Sequence, residues 1–372
     1  MDYVISSSAL NNAVKKLTKV ISKKAALPIL SNLLFKVEGN HMEISSSDGE
    51  VLLSIRLELE KNYEAYSFCV DAKQLKEALK VLPAQPITLS VNSSDKTFIL
   101  KHQDGFFYFP IYDANEYPSD YYKDDATETI TINGKNVSEG IKHCLFALAD
   151  DELRPAMCGV CFDFTENGLT IVGSDGHCLV KSEMLTELEI NSKFVMQKKA
   201  AKLFVEQKSE DNIIIKYGPK WVAVEAGYTT IKSRLIDCIY PKYNSVIPTV
   251  FESTVEIGRS NLISALKAIL PFSPDYQRGK VIFNFSENKL EISTDDFDTF
   301  SGATIKIGIV YNGENVSLGL NGKVLINGLN ELSDTAIEFK FNDPNKAFII
   351  EDLYKDANSN QISFLMMPIY LD

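Results

Sequence analysis

Ser174, Asp175 and His177 place a hydroxyl, a carboxylate and an imidazole within four residues. Those are the group types of a hydrolytic triad. Catalysis requires the nucleophile to lie within reach of a base that a third group orients. Neighbours in an extended segment point to opposite faces, so these three cannot form such a triad locally. Cys158 and Cys161 form a CxxC, which is half a zinc site at most. His143 and His177 are too isolated in the sequence to complete it. Both cysteines suit a strand that packs small apolar side chains. The expectation is a protein with no catalytic residues, no metal and no cofactor.

The elements that carry these residues repeat. Leu34–Asp48, Cys161–Asp175 and Ile282–Asp296 align without a gap and share Phe35/Phe162/Phe283, Asn40/Asn167/Asn288, Ile44/Ile171/Ile292 and Asp48/Asp175/Asp296. Triple identity arises by chance in on the order of one column in 200. Each block reads as a β-hairpin turning at 38–40, 165–167 and 286–288. Asp175 recurs at the same place in all three blocks, which points to a turn role for its carboxylate. Leu10, Val14, Leu17 and Ile21 form a helical stripe. Val137, Ile141, Leu145 and Leu148 form another, and Leu262, Leu266, Ile269 and Leu270 a third. A second helix follows in each copy at 71–82, 197–207 and 321–332, with Lys73, Lys199 and Lys323 in matching places. Strands are expected at 87–91, 98–102, 213–216 and 337–341. Three copies of about 124 residues fill the chain, with boundaries expected at 1–124, 125–250 and 251–372. The order is not strict βαβ, so the class is α+β with antiparallel sheet.

The 372 residues include 38 basic and 50 acidic side chains, a net charge of −12. That excludes a uniformly basic nucleic-acid binder but not one whose charge is sorted between faces. It is sorted: Tyr3 to Val37 contains no acid, yet holds Lys15, Lys16, Lys19, Lys23, Lys24 and Lys36. Lys198, Lys199 and Lys202 form a second cluster, and acids collect at 120–128 and 150–152. No apolar run is long enough for a membrane span and no signal peptide is evident, so a cytoplasmic protein that meets no membrane is expected.

Two helices and a sheet per copy predict a helix layer, bearing the lysines, and a sheet layer. Three copies leave two open ends, which a head-to-tail homodimer would close. Twelve helices about 10 Å apart span a circle roughly 38 Å across and leave a bore of roughly 28 Å, wide enough for a DNA duplex. Two rivals stand beside this reading. One is an enzyme on a repeated scaffold, for which no nucleotide loop, metal cluster or triad is found. The other is a protein-interaction scaffold that never meets DNA.

Four motifs then stand out: LPILSNLL at 27–34, Ser174-Asp175-Gly176-His177 with Leu179, Tyr240-Pro241-Lys242-Tyr243 running on to Val246-Ile247-Pro248, and Met367-Pro368-Ile369-Tyr370-Leu371. In type, order and spacing the chain resembles the bacterial DNA polymerase III beta subunits, the sliding clamps, over its whole length. The resemblance implies the DNA-clamp fold, with helices inside and sheets outside a homodimeric ring that encircles duplex DNA. It implies a processivity factor whose partners are the replicative polymerase subunit, the clamp loader, repair polymerases and mismatch-repair proteins. These share one groove per subunit for short peptides with a Gln and Leu or Phe anchors. The groove is expected from Met157, Ser174, Gly176, His177, Leu179, Pro241 and Val246, and from Leu365, Met366, Met367, Pro368, Ile369 and Leu371. Cys178 and Tyr370 stand where the family often has Arg, and Asp372 extends the usual C-terminus. DNA contacts are expected from Lys15, Lys19, Lys24, Lys73, Lys76, Lys142, Lys198, Lys199, Lys202, Lys267 and Lys323. The dimer contact is expected from Phe107 and Phe109 against Ile269, Leu270 and Phe272.

Overall fold

The computed structural model describes residues 1–22, 27–118, 126–208, 211–273, 279–296, 298, 300–354 and 359–371. Lys24, Asp372 and the boundary at residue 124 lie outside them. One element order recurs, with β2 and β3 of the first copy each spanning what is two strands in the other copies. The first copy is β1 (Asp2–Ser6), α1 (Ser7–Leu17), β2 (Asn32–Ser47), β3 (Val51–Asp71), α2 (Ala72–Lys80), β4 (Pro86–Asn92), β5 (Thr97–His102) and β6 (Gly105–Tyr112). The second is β7 (Glu128–Asn133), α3 (Gly134–Cys144), β8 (Gly159–Thr165), β9 (Gly168–Ser174), β10 (Cys178–Leu185), β11 (Ser192–Gln197), α4 (Lys198–Val205), β12 (Asn212–Tyr217), β13 (Trp221–Ala226) and β14 (Thr229–Arg234). The third is β15 (Ser253–Gly258), α5 (Arg259–Ile269), β16 (Lys280–Ser286), β17 (Lys289–Asp296), β18 (Ser301–Gly308), β19 (Val316–Asn321), α6 (Gly322–Glu331), β20 (Ala336–Phe341), β21 (Phe348–Asp352) and β22 (Gln361–Met366).

The helices form on the apolar stripes but end sooner, leaving Ile21, Leu145, Leu148 and Leu270 beyond α1, α3 and α5, and side chains cap some of them. The Asp71 carboxylate accepts from Gln74 N, and Asn321 Oδ1 accepts from Lys323 N and Val324 N. Such caps satisfy backbone donors that the first helical turn leaves unpaired. The hairpins expected in the second and third copies are β8–β9 and β16–β17. In the first copy the block is β2, which turns back at Gly39, so that Leu34 and Lys36 line the same cavity as Ser45 and Glu43; its register with β3 shifts on either side of that turn. Gly39 bends the backbone there with φ of +60°, a conformation that glycine adopts without a Cβ penalty. β3 pairs with both halves: Leu33–Val37 with Tyr66–Val70, and His41–Ser47 with Leu52–Glu58.

By contacts the chain forms two compact units, Met1–Lys135 with Glu206–Leu235, and Asn136–Val205 with Ile236–Asp372. The first holds a sheet ordered β1-β4-β5-β6-β3-β14-β13-β12-β7, with β2 on β3. The second holds β11-β8-β9-β10-β22-β21-β20-β15 and a separate β18-β17-β16-β19. All named pairings are antiparallel. The phenylalanine identical in the three blocks seeds each core. Phe35 stacks on Phe68 at 5.0 Å between ring centroids, Phe162 on Phe194 at 4.9 Å, and Phe283 lies 6.5 Å from Phe339. Each such ring, fully buried, stabilises the fold by about 1.5–3 kcal/mol.

Candidate partner-binding groove and lysine faces

The β9–β10 turn is built by Asp175. Its Oδ1 accepts from His177 N and Cys178 N, both at 2.7 Å. Ser174 Oγ donates to Cys178 O at 2.7 Å and accepts from Gly176 N at 3.1 Å. Asp48 Oδ1 accepts from Glu50 N and Val51 N in the same way, and Asp296 Oδ1 from Asp298 N. The shared aspartate therefore caps the same turn in all three copies, and the serine hydroxyl is committed to the backbone. Gly176 turns the chain with φ of +89°, leaving Gly176 and His177 exposed. Arg154 Nη1 donates to Asp175 O at 2.9 Å and braces the turn from outside.

Beside this turn, β10 pairs with β22, bringing Leu179 opposite Leu365 and Cys178 opposite Met366. Met367 N then donates to His177 O at 2.8 Å. Residues 236–251 cross the face of this sheet. Tyr240 and Tyr243 pack with Cys161, Val172, Leu179 and Leu365. Tyr243 is locked by a donated bond from its hydroxyl to Asp163 Oδ2 at 2.7 Å, and Asp163 also pairs with Lys193 at 2.7 Å. Burial, then the Asp163 bond, pushes the Tyr243 hydroxyl pKa up.

A cavity of about 240 Å³ lies between these pieces. Met157, Ser174, Gly176, His177, Leu179, Pro241, Val246, Leu365 and Met367 all line it. Met366 does not: alternation along β22 turns it to the other face, where it is 3 % exposed. Pro368, Ile369 and Leu371 do not line it either, because the tail leaves toward β19, where Ile369 N donates to Gly319 O at 2.7 Å. Cys178, Tyr240, Lys242, Tyr243 and Ala347 complete the wall. Tyr240, Lys242 and Tyr243 were visible as part of a motif, whereas Ala347 had no signal before β21 was placed. Burial, and next the Asp175 charge, push the Cys178 thiol pKa up, so it stays protonated. The wall is thus apolar with a sparse polar rim, suited to anchoring apolar side chains.

Cys161 is buried and its thiol is pushed up to about 12 by burial, while Cys158 Sγ bonds to Asp151 O at 3.2 Å. No group of three or more His, Cys, Asp or Glu that could hold a metal occurs among the described residues.

The lysines lie on or beside the helices. Lys15, Lys73, Lys142, Lys202, Lys267 and Lys323 are exposed; Lys76, Lys198 and Lys199 are half-buried. Three of the expected DNA contacts already hold carboxylates. Lys19 pairs with Glu206 at 2.6 Å, Lys142 with Glu331 at 3.3 Å and Lys198 with Asp150 at 2.6 Å. The bond from Lys198 holds the Asp150 carboxyl below its usual range. Charge is therefore less cleanly sorted than the sequence suggested, since the acids at 150–152 stand beside the lysines at 198–202. On β6 the alternation runs opposite to expectation. Phe109 is core, packed 5.8 Å from Phe98, while Phe106 and Tyr108 are exposed. Ile269 is likewise fully buried on α5, Leu270 half-buried and Phe272 exposed.

Three adjacent family descriptions match the chain: the DNA polymerase III beta subunit N-terminal domain at residues 1–121, its central domain at 131–242 and its C-terminal domain at 244–370. The beta sliding clamp of Pseudomonas aeruginosa is 24% identical over 377 residues, and that of Vibrio cholerae 23% over 375, each with 100% of both chains covered. Among solved structures, the P. aeruginosa sliding clamp bound to griselimycin superposes with a TM-score of 0.93 at 23% identity. The Thermotoga maritima DNA polymerase III beta subunit does so at 0.90 and 23%; both cover 100% of each chain. With the three domains in order from end to end, the chain belongs to the DNA polymerase III beta subunit family, the sliding clamps that serve as processivity factors in DNA replication.

Proposed function

We propose that this clamp acts without chemistry of its own, as a head-to-tail homodimer closed around duplex DNA, each chain holding three clamp copies divided near residues 124 and 250. The lysines on the helices screen the duplex phosphates without reading bases, so contact is independent of sequence. The cavity beside Leu179 and Leu365 receives, in turn, short peptides of the replicative polymerase subunit, the clamp loader, repair polymerases and mismatch-repair proteins. No helix among the described residues is long and apolar enough to cross a membrane, in keeping with work on DNA in the cytoplasm.

One observation carries the dimer. The third strand of the first copy pairs with the last strand of the second (β3 with β14, Leu52 opposite Lys232). In the second copy the strand that follows the Asp175 turn, as β3 follows the Asp48 turn, pairs with the last of the third in the same register (β10 with β22, Leu179 opposite Leu365). Two strands of those same types keep an open edge. β18 ends its sheet, and β6 meets β3 only at Cys69–Tyr112 and Val70–Ile111. An open edge is a template for another strand. A second chain supplies β18 to β6 and receives the converse, a heterologous contact that two chains close. Phe106 and Tyr108 on β6, with Phe272 at the end of α5, are the exposed apolar groups that such a join would bury.

Sedimentation at micromolar concentration tests this. The wild type should run at about twice 41.6 kDa, and the Phe106→Asp/Tyr108→Asp protein as a single folded chain. A monomeric wild type, or a variant that remains dimeric, defeats the reading.

A further inference from the structure

The joins β3–β14 and β10–β22 are equivalent, so the sheet face that bears the groove in one compact unit has a counterpart in the other. Aligned on Asp48 and Asp175, the counterpart of Leu179 is Leu52, of Val172 is Ser45 and of Asp163 is Lys36; Lys232 stands where Leu365 does. A cavity of about 480 Å³ opens there. Its surroundings are the chemical inverse of the groove. Lys36 and Arg56 are exposed, Lys232 is half-buried, and none of the three has an ion pair among the described residues. Glu225, on the rim, is already neutralised by Lys216 at 2.8 Å, and Glu43 faces Arg56 across the β2–β3 register. On a chain of net charge −12, this concavity is locally positive.

The floor supplies a second observation. Ser45 and Ser54 are cross-strand partners, 3 % and 6 % exposed, with hydroxyl oxygens 2.8 Å apart. Two hydroxyls carry two protons, and the bond between them uses one. The other has no acceptor among the described residues, although both serines line the cavity. Buried donors ordinarily find an acceptor. An oxyanion in the cavity would take this proton while facing three cations.

We propose that this face is a second docking site, distinct from the groove and independent of the groove's assignment, which takes an acidic peptide segment of a partner protein. The segment lies extended across β2, β3 and β14, with one carboxylate on the Ser45–Ser54 pair and others on Arg56 and Lys232. Glu43 and Glu225 select against a compact polyanion such as a phosphate and favour carboxylates spaced along a chain.

Full-length protein titrated with a fluorescein-labelled Ser-Glu repeat nonapeptide should show saturable binding at low salt that weakens as salt rises. The Ser-Gln repeat should bind at least about tenfold more weakly, the worth of one charge-assisted hydrogen bond. Arg56→Glu/Lys232→Glu should lose the acidic peptide by a similar factor while binding a Gln-Leu-Phe groove peptide as the wild type does. Ser54→Ala should weaken the acidic peptide severalfold. No saturation at millimolar peptide, equal binding of the Gln repeat, or equal binding by the double variant overturns the proposal. So does inorganic phosphate that fills the site more tightly than the peptide, because the site would then be an anion pocket only.

Discussion

His143 is half-buried, its Nδ1 3.2 Å from Ser182 Oγ, and burial, with Lys142 adding to it, depresses its pKa from 6.5 to about 4. The unfolded chain therefore binds a proton that the folded chain refuses between those pH values. Stability is full above about pH 6.5 and falls as pH drops toward 4, at about 1.4 kcal/mol per unit for this one group. Urea unfolding at pH 7 and pH 5 should show the wild type losing about 2 kcal/mol from this source, and His143→Gln losing that much less. An identical pH dependence in both proteins would remove His143 from the account. At the same scale, the threefold Asp48, Asp175 and Asp296 identity is enough to read a turn instead of a triad, and the bond each accepts from the residue two places on, with a second from three places on at Asp48 and Asp175, explains the identity. His143 gave no such signal, because its burial depends on β10, a strand far away in the chain.

At the scale of elements, the sequence carried the helix starts and the three hairpins, since periodicity reports local faces directly. It ran the helical stripes too far, because Ile21, Leu145, Leu148 and Leu270 lie beyond the ends of α1, α3 and α5. The groove was legible where motifs spoke, at Tyr240–Tyr243 and at Ser174–Leu179. It was not legible in the phase of alternation. Met366 was expected in the wall and Phe109 at the edge, but a one-residue change of phase exchanges inside for outside; Phe107 stands between, half-buried against His102. The tail from Met367 onward contributes one wall residue and an anchor on Gly319. Deleting 367–372 should therefore lower the affinity of a labelled Gln-Leu-Phe peptide at least about tenfold, the loss of an apolar anchor of about 2 kcal/mol, while sedimentation still reports a dimer. Undiminished peptide affinity would place the partner site elsewhere.

For the whole molecule, charge decides how the clamp meets DNA. Lys15, Lys73, Lys202 and Lys323 are exposed and, among the described residues, hold no ion pair such as those that occupy Lys19, Lys142 and Lys198. Reversing those four to Glu should weaken retention on circular DNA and flatten its dependence on salt, equally for every sequence. Retention that is unchanged across a salt series would move the DNA face off the helices. The open edges of β6 and β18 set a different kind of limit. On the join proposed above, the chain is, in a polymer chemist's terms, a bifunctional monomer, one end of each type, able either to grow or to cyclise. Cyclisation wins when curvature brings a dimer's own ends together, because the second join is then intramolecular and no longer depends on protein concentration. A chain with Asp at 106 and 108 keeps a working β18 and becomes a chain stopper. Mixed with intact protein, it should cap rings into open pairs and depress processivity in proportion to its share.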